Sequence, residues 1–113
     1  MKIAKRDAQV FHNGPTCTVH KYAFPSPRLG LISAEMHGRY PERGKVLNEL
    51  CDETYFVLAG SCTIHYETGD YTLSEGDLFF FPRGKWWWAE ASGLRSVVCT
   101  APPWTPEQHR QLD

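Results

Sequence analysis

The sequence predicts an all-β domain, and three features support that prediction. Short runs of strand-forming residues recur along the chain at the spacing that is typical of sandwiches and barrels. The 9 glycines and 8 prolines are dispersed between these runs as turn signals and do not form a linker. Helical periodicity is almost absent. With 113 residues, 42% hydrophobic and 22% charged, the chain suits one globular domain over residues 1–113 and excludes disorder.

Eight segments are predicted as strands, and glycine or proline marks most of their ends. Residues 25–27, Pro-Ser-Pro, close the first strand, and Gly38 ends the second. Turns at residues 59–60 and 69–70 separate the third, fourth and fifth strands. In chain order the predicted strands are Thr16–Phe24, Leu29–His37, Thr54–Leu58, Cys62–Glu67, Tyr71–Leu73, Leu78–Phe81, Trp86–Glu90 and Leu94–Thr100.

A single helix is predicted, near the C-terminal end of the sequence. Thr105 is placed as its N-cap, Pro106 occupies the first helical position, and Gln108 stands three residues after the cap. This spacing is that of a capping box. We expect a short helix from about Pro106 to Leu112, lying on the surface as a lid or tail.

The net charge argues against nucleic acid as a partner, and the short apolar runs argue against a membrane. Lysine plus arginine number 12 and aspartate plus glutamate 13, which gives a formal net charge of −1 without a basic stripe. Nucleic-acid binding is therefore not expected. No apolar run approaches the roughly 20 residues needed to span a bilayer, so no membrane partner is expected either.

The first residues and the cysteines indicate a cytoplasmic protein. Residues 1–7 carry positive charge but are not followed by the apolar segment of a signal peptide. The four cysteines, Cys17, Cys51, Cys62 and Cys99, include no CxxC pair. We expect them to be reduced, structural thiols.

Two short motifs that end in glycine stand in the middle of the chain. Residues 53–60 read Glu-Thr-Tyr-Phe-Val-Leu-Ala-Gly and fit the pattern E(x)6G; residues 76–84 read Gly-Asp-Leu-Phe-Phe-Phe-Pro-Arg-Gly and fit G(x)5PxG. In this order and at this spacing they resemble the two motifs of the cupin superfamily, over about residues 44–100. The resemblance implies a jelly-roll β-barrel, with Gly60 and Gly84 in tight turns and Pro82 at a strand end.

The chain departs from the pattern of metal-binding cupins. Those proteins resemble one another in an HxH(x)3–4E group and in a histidine three residues after the PxG. Here the HxH positions fall on residues 47 and 49 or on residues 46 and 48, neither pair contains a histidine, and Trp87 takes the later position. Only Glu53 remains of the four ligands, so we expect no metal cofactor.

Glu53 is the candidate catalytic residue. A carboxylate that begins a buried strand and faces the barrel interior has a raised pKa, which suits a general base. Alternatively, Glu53 is a structural carboxylate bonded to the backbone or to Arg39 or Arg43. Asn48 or Glu49, depending on the register, is the expected polar anchor beside it.

Trp87 and His65 are the remaining candidates for ligand binding. Trp87 offers a flat apolar wall for a sugar or ring, or else simply fills the core. His65 shares one face of a predicted strand with Thr63 and Glu67. That face is either inside the barrel or exposed to solvent, and alternation alone does not decide which.

Outward-facing aromatic residues predict a homodimer. If Trp87 points inward, its neighbours Trp86 and Trp88 point outward, and Phe79–Phe81 adds apolar surface on the preceding strand. Such a surface indicates an interface between two copies of the chain.

Three classes of function stay open. The first is a metal-free site for a small polar or sugar-like ligand, in a binding protein or an isomerase- or epimerase-like enzyme. The second is a metal enzyme with an irregular ligand set. The third is a non-catalytic dimer whose interior is plugged by Trp87. For the second class the ligand set would be Glu49, Glu53 and His65.

Overall fold

The structure, a computed structural model, describes residues 1–113 as β-strands joined by turns, with two helical segments of three residues each, Lys5–Asp7 and Pro106–Gln108. No helix reaches the length and apolar character needed to cross a membrane. The nine strands are β1 Gln9–His12, β2 Cys17–Tyr22, β3 Gly30–Tyr40, β4 Lys45–Asn48, β5 Asp52–Tyr66, β6 Gly69–Leu73, β7 Leu78–Phe81, β8 Trp87–Ala101 and β9 His109–Leu112.

The long strand β8 organises the sheet. It pairs antiparallel with β3 along one edge and with β5 along the other. The N-terminal half of β5 also pairs with β7, and its C-terminal half pairs with β6. Strands β1 and β2 extend the sheet beyond β3, while β4 and β9 form a ribbon that joins the start of β8. Because this sheet curls on itself, the molecule is the jelly-roll barrel that the two motifs imply.

Two pairs of predicted strands each form one continuous strand. Thr54–Leu58 and Cys62–Glu67 join in β5, and Trp86–Glu90 and Leu94–Thr100 join in β8. The turn predicted at residues 59–60 is wrong, because β5 continues through it with only an irregularity of register. Gly60 has φ +76°, and a Cβ there would lie 2.1 Å from the carbonyl oxygen of Gly93 on β8. Gly60 therefore permits a close approach of two strands at a bulge, in place of a tight turn. Gly93, with φ +54°, lies within the continuous β8 opposite it.

The predicted C-terminal helix is also wrong. Only Pro106–Gln108 forms a 3-10 turn, and Thr105 makes no side-chain capping bond. The next residues form β9, which pairs with β4 over its whole length. The Gln108 carbonyl accepts the Glu49 N–H at 2.9 Å, so this segment takes its hydrogen bonds from β4 and its continuation, and not from a helix.

The core lies inside the curled sheet and follows the alternation of the strands. In β5, for example, Tyr55 and Val57 point inward before the bulge, and Cys62 and Ile64 point inward after it. Trp87 belongs to this core. The 15 buried residues of the cluster are Cys17, Val19, Ala34, Met36, Val46, Tyr55, Val57, Cys62, Ile64, Leu73, Phe81, Trp87, Ala89, Leu94 and Val98.

Candidate functional site

A cavity of about 570 Å³ opens into the barrel interior. Most of its lining is apolar, and Glu53 is the only carboxylate in it. The other ionisable groups of the lining include Lys21 and His109, together with the hydroxyls of Tyr40 and Tyr55. A mostly apolar cavity with a few polar groups is the usual form of a small-molecule site.

Glu53 lies on the inner face of β5 and is 8% exposed. Burial raises the pKa of its carboxyl to about 7, against the opposing effect of a hydrogen bond from Asn48. No ion pair reaches it. The Arg39 guanidinium donates instead to backbone carbonyls, including that of Gly44 at 2.9 Å, and Arg43 contacts Gln111 through its backbone oxygen. At neutral pH both forms of Glu53 are therefore populated.

Asn48 fixes the geometry around Glu53. The buried positions of β4 are Val46 and Asn48, so this register of residues 46–49 faces inward. The Asn48 Nδ2 group donates to Glu53 Oε1 at 2.9 Å, while Asn48 Oδ1 accepts the Trp104 Nε1–H at 3.1 Å. Because an indole nitrogen can only donate, this second bond determines which end of the amide faces Glu53.

The same amide oxygen sets the tautomer of His109. Asn48 Oδ1 lies 2.8 Å from His109 Nδ1, so Nδ1 carries the proton and donates it. Burial lowers the pKa of His109, which keeps the ring neutral. Its Nε2 atom is then an acceptor, 3.5 Å from the Tyr40 hydroxyl. A chain of polar contacts thus runs from Tyr40 through His109 and Asn48 to Glu53.

Tyr55 supplies a hydroxyl with no partner inside the protein. It lies two residues after Glu53 on the same face of β5 and is 5% exposed. The only fully enclosed side-chain polar atom without a hydrogen bond is Ser96 Oγ, so the Tyr55 hydroxyl opens into the cavity. Burial raises the pKa of the Tyr55 hydroxyl well above its ordinary value. The hydroxyl therefore stays protonated and can donate a hydrogen bond.

Trp87 is both a core residue and a part of the cavity wall. It is 2% exposed and contacts Tyr55 edge-on, with ring centroids 5.5 Å apart, and Phe81, with centroids 4.6 Å apart. The cavity remains open beside it. Trp87 therefore does not plug the interior.

Glu49 and His65 lie away from the cavity. Glu49 is exposed and pairs with Arg110. His65 is on the outer face of β5, with its ring nitrogens 2.7 Å from Asp70 and 2.9 Å from Glu90. Strand alternation explains both positions, because neighbours of inward-facing residues point outward. The structure brings Glu53, Asn48 and Trp87 together and leaves Glu49 and His65 apart from them.

The residues at the expected metal positions do not fit a metal ion. Val46 and Trp87 have no lone pair to offer, and Asn48 Oδ1 already lies within hydrogen-bond distance of three donors, on Trp104, Gln108 and His109. No group of three or more histidine, cysteine, aspartate or glutamate side chains could hold a metal. The irregular set of Glu49, Glu53 and His65 is wrong as a ligand set, because one member is inside the barrel and two are outside.

Sequence reasoning missed Tyr40, Tyr55, Trp104 and His109 as members of the site. Tyr55 stands inside the first motif, and its spacing of two from Glu53 is a signal for a shared face. His109 gave no such signal, since the pairing of β9 with β4 is what places it beside Asn48. Trp104 lies before β9 and is tied to Thr100 and Asn48 by hydrogen bonds, which its sequence position does not indicate.

Comparison of the sequence with protein families matches residues 47–101 to the cupin domain. This range contains both motifs and the strands that position Glu53 and Trp87. The chain therefore contains a cupin domain over these residues. No curated protein matches this cupin by sequence.

Solved structures share the fold of this cupin at low sequence identity. Streptomyces PAC13 with uridine has a TM-score of 0.89 and 15% identity, with 99% of this chain and 89% of that chain covered. Pac13 is described as a nucleoside dehydratase. KdgF from Halomonas sp. has a TM-score of 0.72 and 20% identity, covering 89% and 94% of the two chains. Bacillus subtilis oxalate decarboxylase has a TM-score of 0.78 and 16% identity, covering 97% of this chain and 32% of that one.

Proposed function

We propose that this cupin is a metal-independent enzyme that moves a proton on a small, hydroxylated, sugar-like ligand. The observation that carries the proposal is the state of Glu53. Its carboxyl faces a cavity of about 570 Å³, has no cation beside it, and has a pKa raised to about 7 by burial. A carboxyl group with such a pKa is suited both to accept and to return a proton at neutral pH.

The cavity residues suggest a reaction in which Glu53 both accepts and returns one proton. The Glu53 carboxylate accepts a proton from a carbon next to a carbonyl group, and the electron pair of that C–H bond forms an enolate. The Tyr55 hydroxyl, free of protein partners, donates a hydrogen bond to the enolate oxygen. In one outcome, protonated Glu53 gives its proton to a hydroxyl group on the next carbon as that C–O bond breaks, so that water leaves and a C=C bond forms. In the other, Glu53 gives its proton to the former carbonyl carbon while the proton of the adjacent hydroxyl passes to the enolate oxygen, which leaves a carbonyl group at the neighbouring carbon. The first outcome is a dehydration and the second an isomerisation, and either returns Glu53 to the carboxylate.

Two further observations favour this class of ligand. The aromatic rings of Trp87, Tyr40 and Tyr55 line the cavity and provide faces against which a sugar or a flat ring can stack. PAC13, whose structure contains uridine, shares the fold over nearly the whole chain. Uridine is therefore the first probe, and oxidised sugars, which carry the carbonyl group, are the first substrates to test.

The decisive variant is Glu53→Gln, because the amide keeps the shape and loses the ability to take a proton. Binding should be followed by tryptophan emission and turnover by NMR. We expect Glu53→Gln to bind with a modest loss of affinity and to lose turnover by about two to four orders of magnitude. The exposed Glu49→Gln is the matched control. Turnover by Glu53→Gln at the wild-type rate would exclude Glu53 as the base, and binding without turnover by the wild type would leave a binding protein.

The wall contributed by Trp87 is tested in the same assay. Because stacked aromatic pairs contribute about 1 kcal/mol, Trp87→Phe should weaken binding by that amount or more. Since Trp87 is also a core residue, the unfolding midpoint of the Trp87→Phe variant is measured in parallel. Unaltered affinity in a folded variant would remove Trp87 from the proposed site.

We also propose that the protein is a homodimer. The outer face of β5 and β7 exposes Phe56, Leu58, Leu78 and Phe80 by 40% to 57%. Phe56 stands directly opposite Leu78, so these side chains form one continuous apolar surface. Strand β7 pairs only with β5 and leaves its other edge free for a second copy.

The tryptophans first expected at this interface have partners within the chain. The Lys45 ammonium lies 3.9 Å from the Trp86 ring centroid, and the Arg39 guanidinium 4.2 Å from that of Trp88. We therefore expect Phe80→Glu to produce a folded monomer in sedimentation velocity and Trp86→Glu to leave the dimer intact. A wild-type protein that sediments as a monomer at micromolar concentration would refute the dimer.

A reducing compartment, such as the cytoplasm, suits this chain. All four cysteines are free thiols, and Cys17, Cys51 and Cys62 are buried. Burial raises the pKa of each of these three to about 11, which keeps them unreactive.

A further inference from the structure

Lys21 is the one side chain of the cavity lining that carries a fixed positive charge. Alternation along β2 places it on the same face as the buried Cys17 and Val19, so it points toward the cavity at the exposed end of the strand. Lys21 is itself exposed, so its ammonium group is accessible to a ligand in the cavity.

No group in the protein neutralises this charge. The ion pairs of the structure involve His65 and Arg110, and Lys21 takes part in none of them. Its cross-strand neighbours are Gln9 on β1 and Ile32 on β3, neither of which is acidic. The only carboxylate in the cavity lining is Glu53, which receives its hydrogen bond from Asn48.

The sheet register relates Lys21 to the proposed catalytic groups. Lys21 stands opposite Ile32, Ile32 opposite Val98, and Val98 opposite Tyr55. These four residues form one row on the cavity face, and three strand spacings of about 4.8 Å separate its ends by roughly 14 Å along the sheet. The row is polar at both ends and apolar between them, because Ile32 and Val98 fill its middle.

We propose that the ligand carries an anionic group, a carboxylate or a phosphate, which binds Lys21 while its hydroxylated part lies at Glu53 and Tyr55. This inference rests on the proposed function and adds the charge and length of the ligand to it. A ligand of this kind bears its charge at one end and its reacting part at the other. An ammonium group binds either anion as a point charge. Lys21 therefore indicates a negative charge on the ligand, and experiment distinguishes a carboxylate from a phosphate.

The experiment uses two pairs of probes that differ in charge. Uridine is compared with uridine 5′-monophosphate, and glucose with glucuronate, by calorimetry on the whole 113-residue chain. A charge-assisted contact of this kind corresponds to about a tenfold preference for the anionic member, and added salt should reduce that preference. Lys21→Met should lower the affinity for the anionic probe to that for its neutral partner, whereas Lys21→Arg should keep the preference. Lys85→Met removes an exposed lysine that does not line the cavity and is the control.

Each outcome decides between the two proposals. A preference for uridine 5′-monophosphate or for glucuronate that Lys21→Met abolishes supports the inference and identifies the anion. Equal affinities within both pairs, or a preference that survives in Lys21→Met, overturn the inference alone, provided that turnover or binding still depends on Glu53. If no probe binds to the wild type at millimolar concentration, the proposed function fails and this inference fails with it.

Discussion

Replacing Glu53 by glutamine should stabilise the protein above neutral pH. Burial raises the pKa of this carboxyl from 4.5 to about 7, so the folded protein holds the proton more tightly than the unfolded chain does. The resulting stabilisation is fully present below about pH 4.5 and is lost as the pH rises through 7. At about 1.4 kcal/mol per pKa unit, the loss amounts to roughly 3 kcal/mol. Glutamine has no charge to desolvate and retains an oxygen that can accept the hydrogen bond from Asn48.

The assay is urea unfolding of the wild type and Glu53→Gln between pH 4 and pH 9. The two proteins should have nearly equal free energies of unfolding at pH 4. The variant should then become more stable than the wild type, by up to roughly 3 kcal/mol above pH 7. Glu49→Gln, which changes an exposed carboxylate, should show no such divergence. Parallel pH profiles for the wild type and Glu53→Gln would refute the argument that burial makes the ionised form of Glu53 costly.

Three other perturbations have expected outcomes. Asn48→Leu removes the acceptor of the partly buried indole and imidazole N–H groups, and should lower the free energy of unfolding by about 2 to 4 kcal/mol in urea titrations. Gly60→Ala should prevent folding or cost well over 2 kcal/mol, because its Cβ would lie 2.1 Å from the Gly93 carbonyl oxygen, whereas Gly76→Ala, with φ +88° and nothing within 4 Å, should cost about 1 kcal/mol. Protein purified without metal chromatography should contain well under one equivalent of iron, manganese, nickel, zinc or copper by elemental analysis, and a stoichiometric metal would contradict a metal-independent site.

Much of the barrel could be predicted from the sequence, since its strands alternate and its motifs fix their ends. Residues 78–81 form β7 as expected, and Cys62 and Ile64 point inward as alternation requires. The fusion of strands across Gly60 could not be predicted. A glycine with positive φ serves a tight turn and a bulge equally well, and the choice depends on whether a neighbouring strand approaches it.

The C-terminal segment shows a second limit of local reasoning. The residues of a capping box also begin the 3-10 turn that is present, and the conformation of residues 109–112 depends on a distant partner. Strand β4 offers a free edge to these residues, and pairing with it satisfies their backbone groups as a helix would. Since this pairing also delivers His109 to Asn48, the error about the helix and the omission of His109 have the same cause.

The sequence indicated Glu53 as a candidate site residue, and the structure shows how Asn48 contributes to its state. Asn48 stands at a motif position where metal-binding cupins share a histidine, and Glu53 stands at the position of their carboxylate ligand. A metal ion there would hold the carboxyl of Glu53 in its ionised form, whereas a neutral amide donates one hydrogen bond and adds no charge. Burial then outweighs that bond, and the pKa of Glu53 rises to about 7. The substitutions that remove the metal ligands are therefore the same ones that turn a ligand carboxylate into a candidate acid–base catalyst.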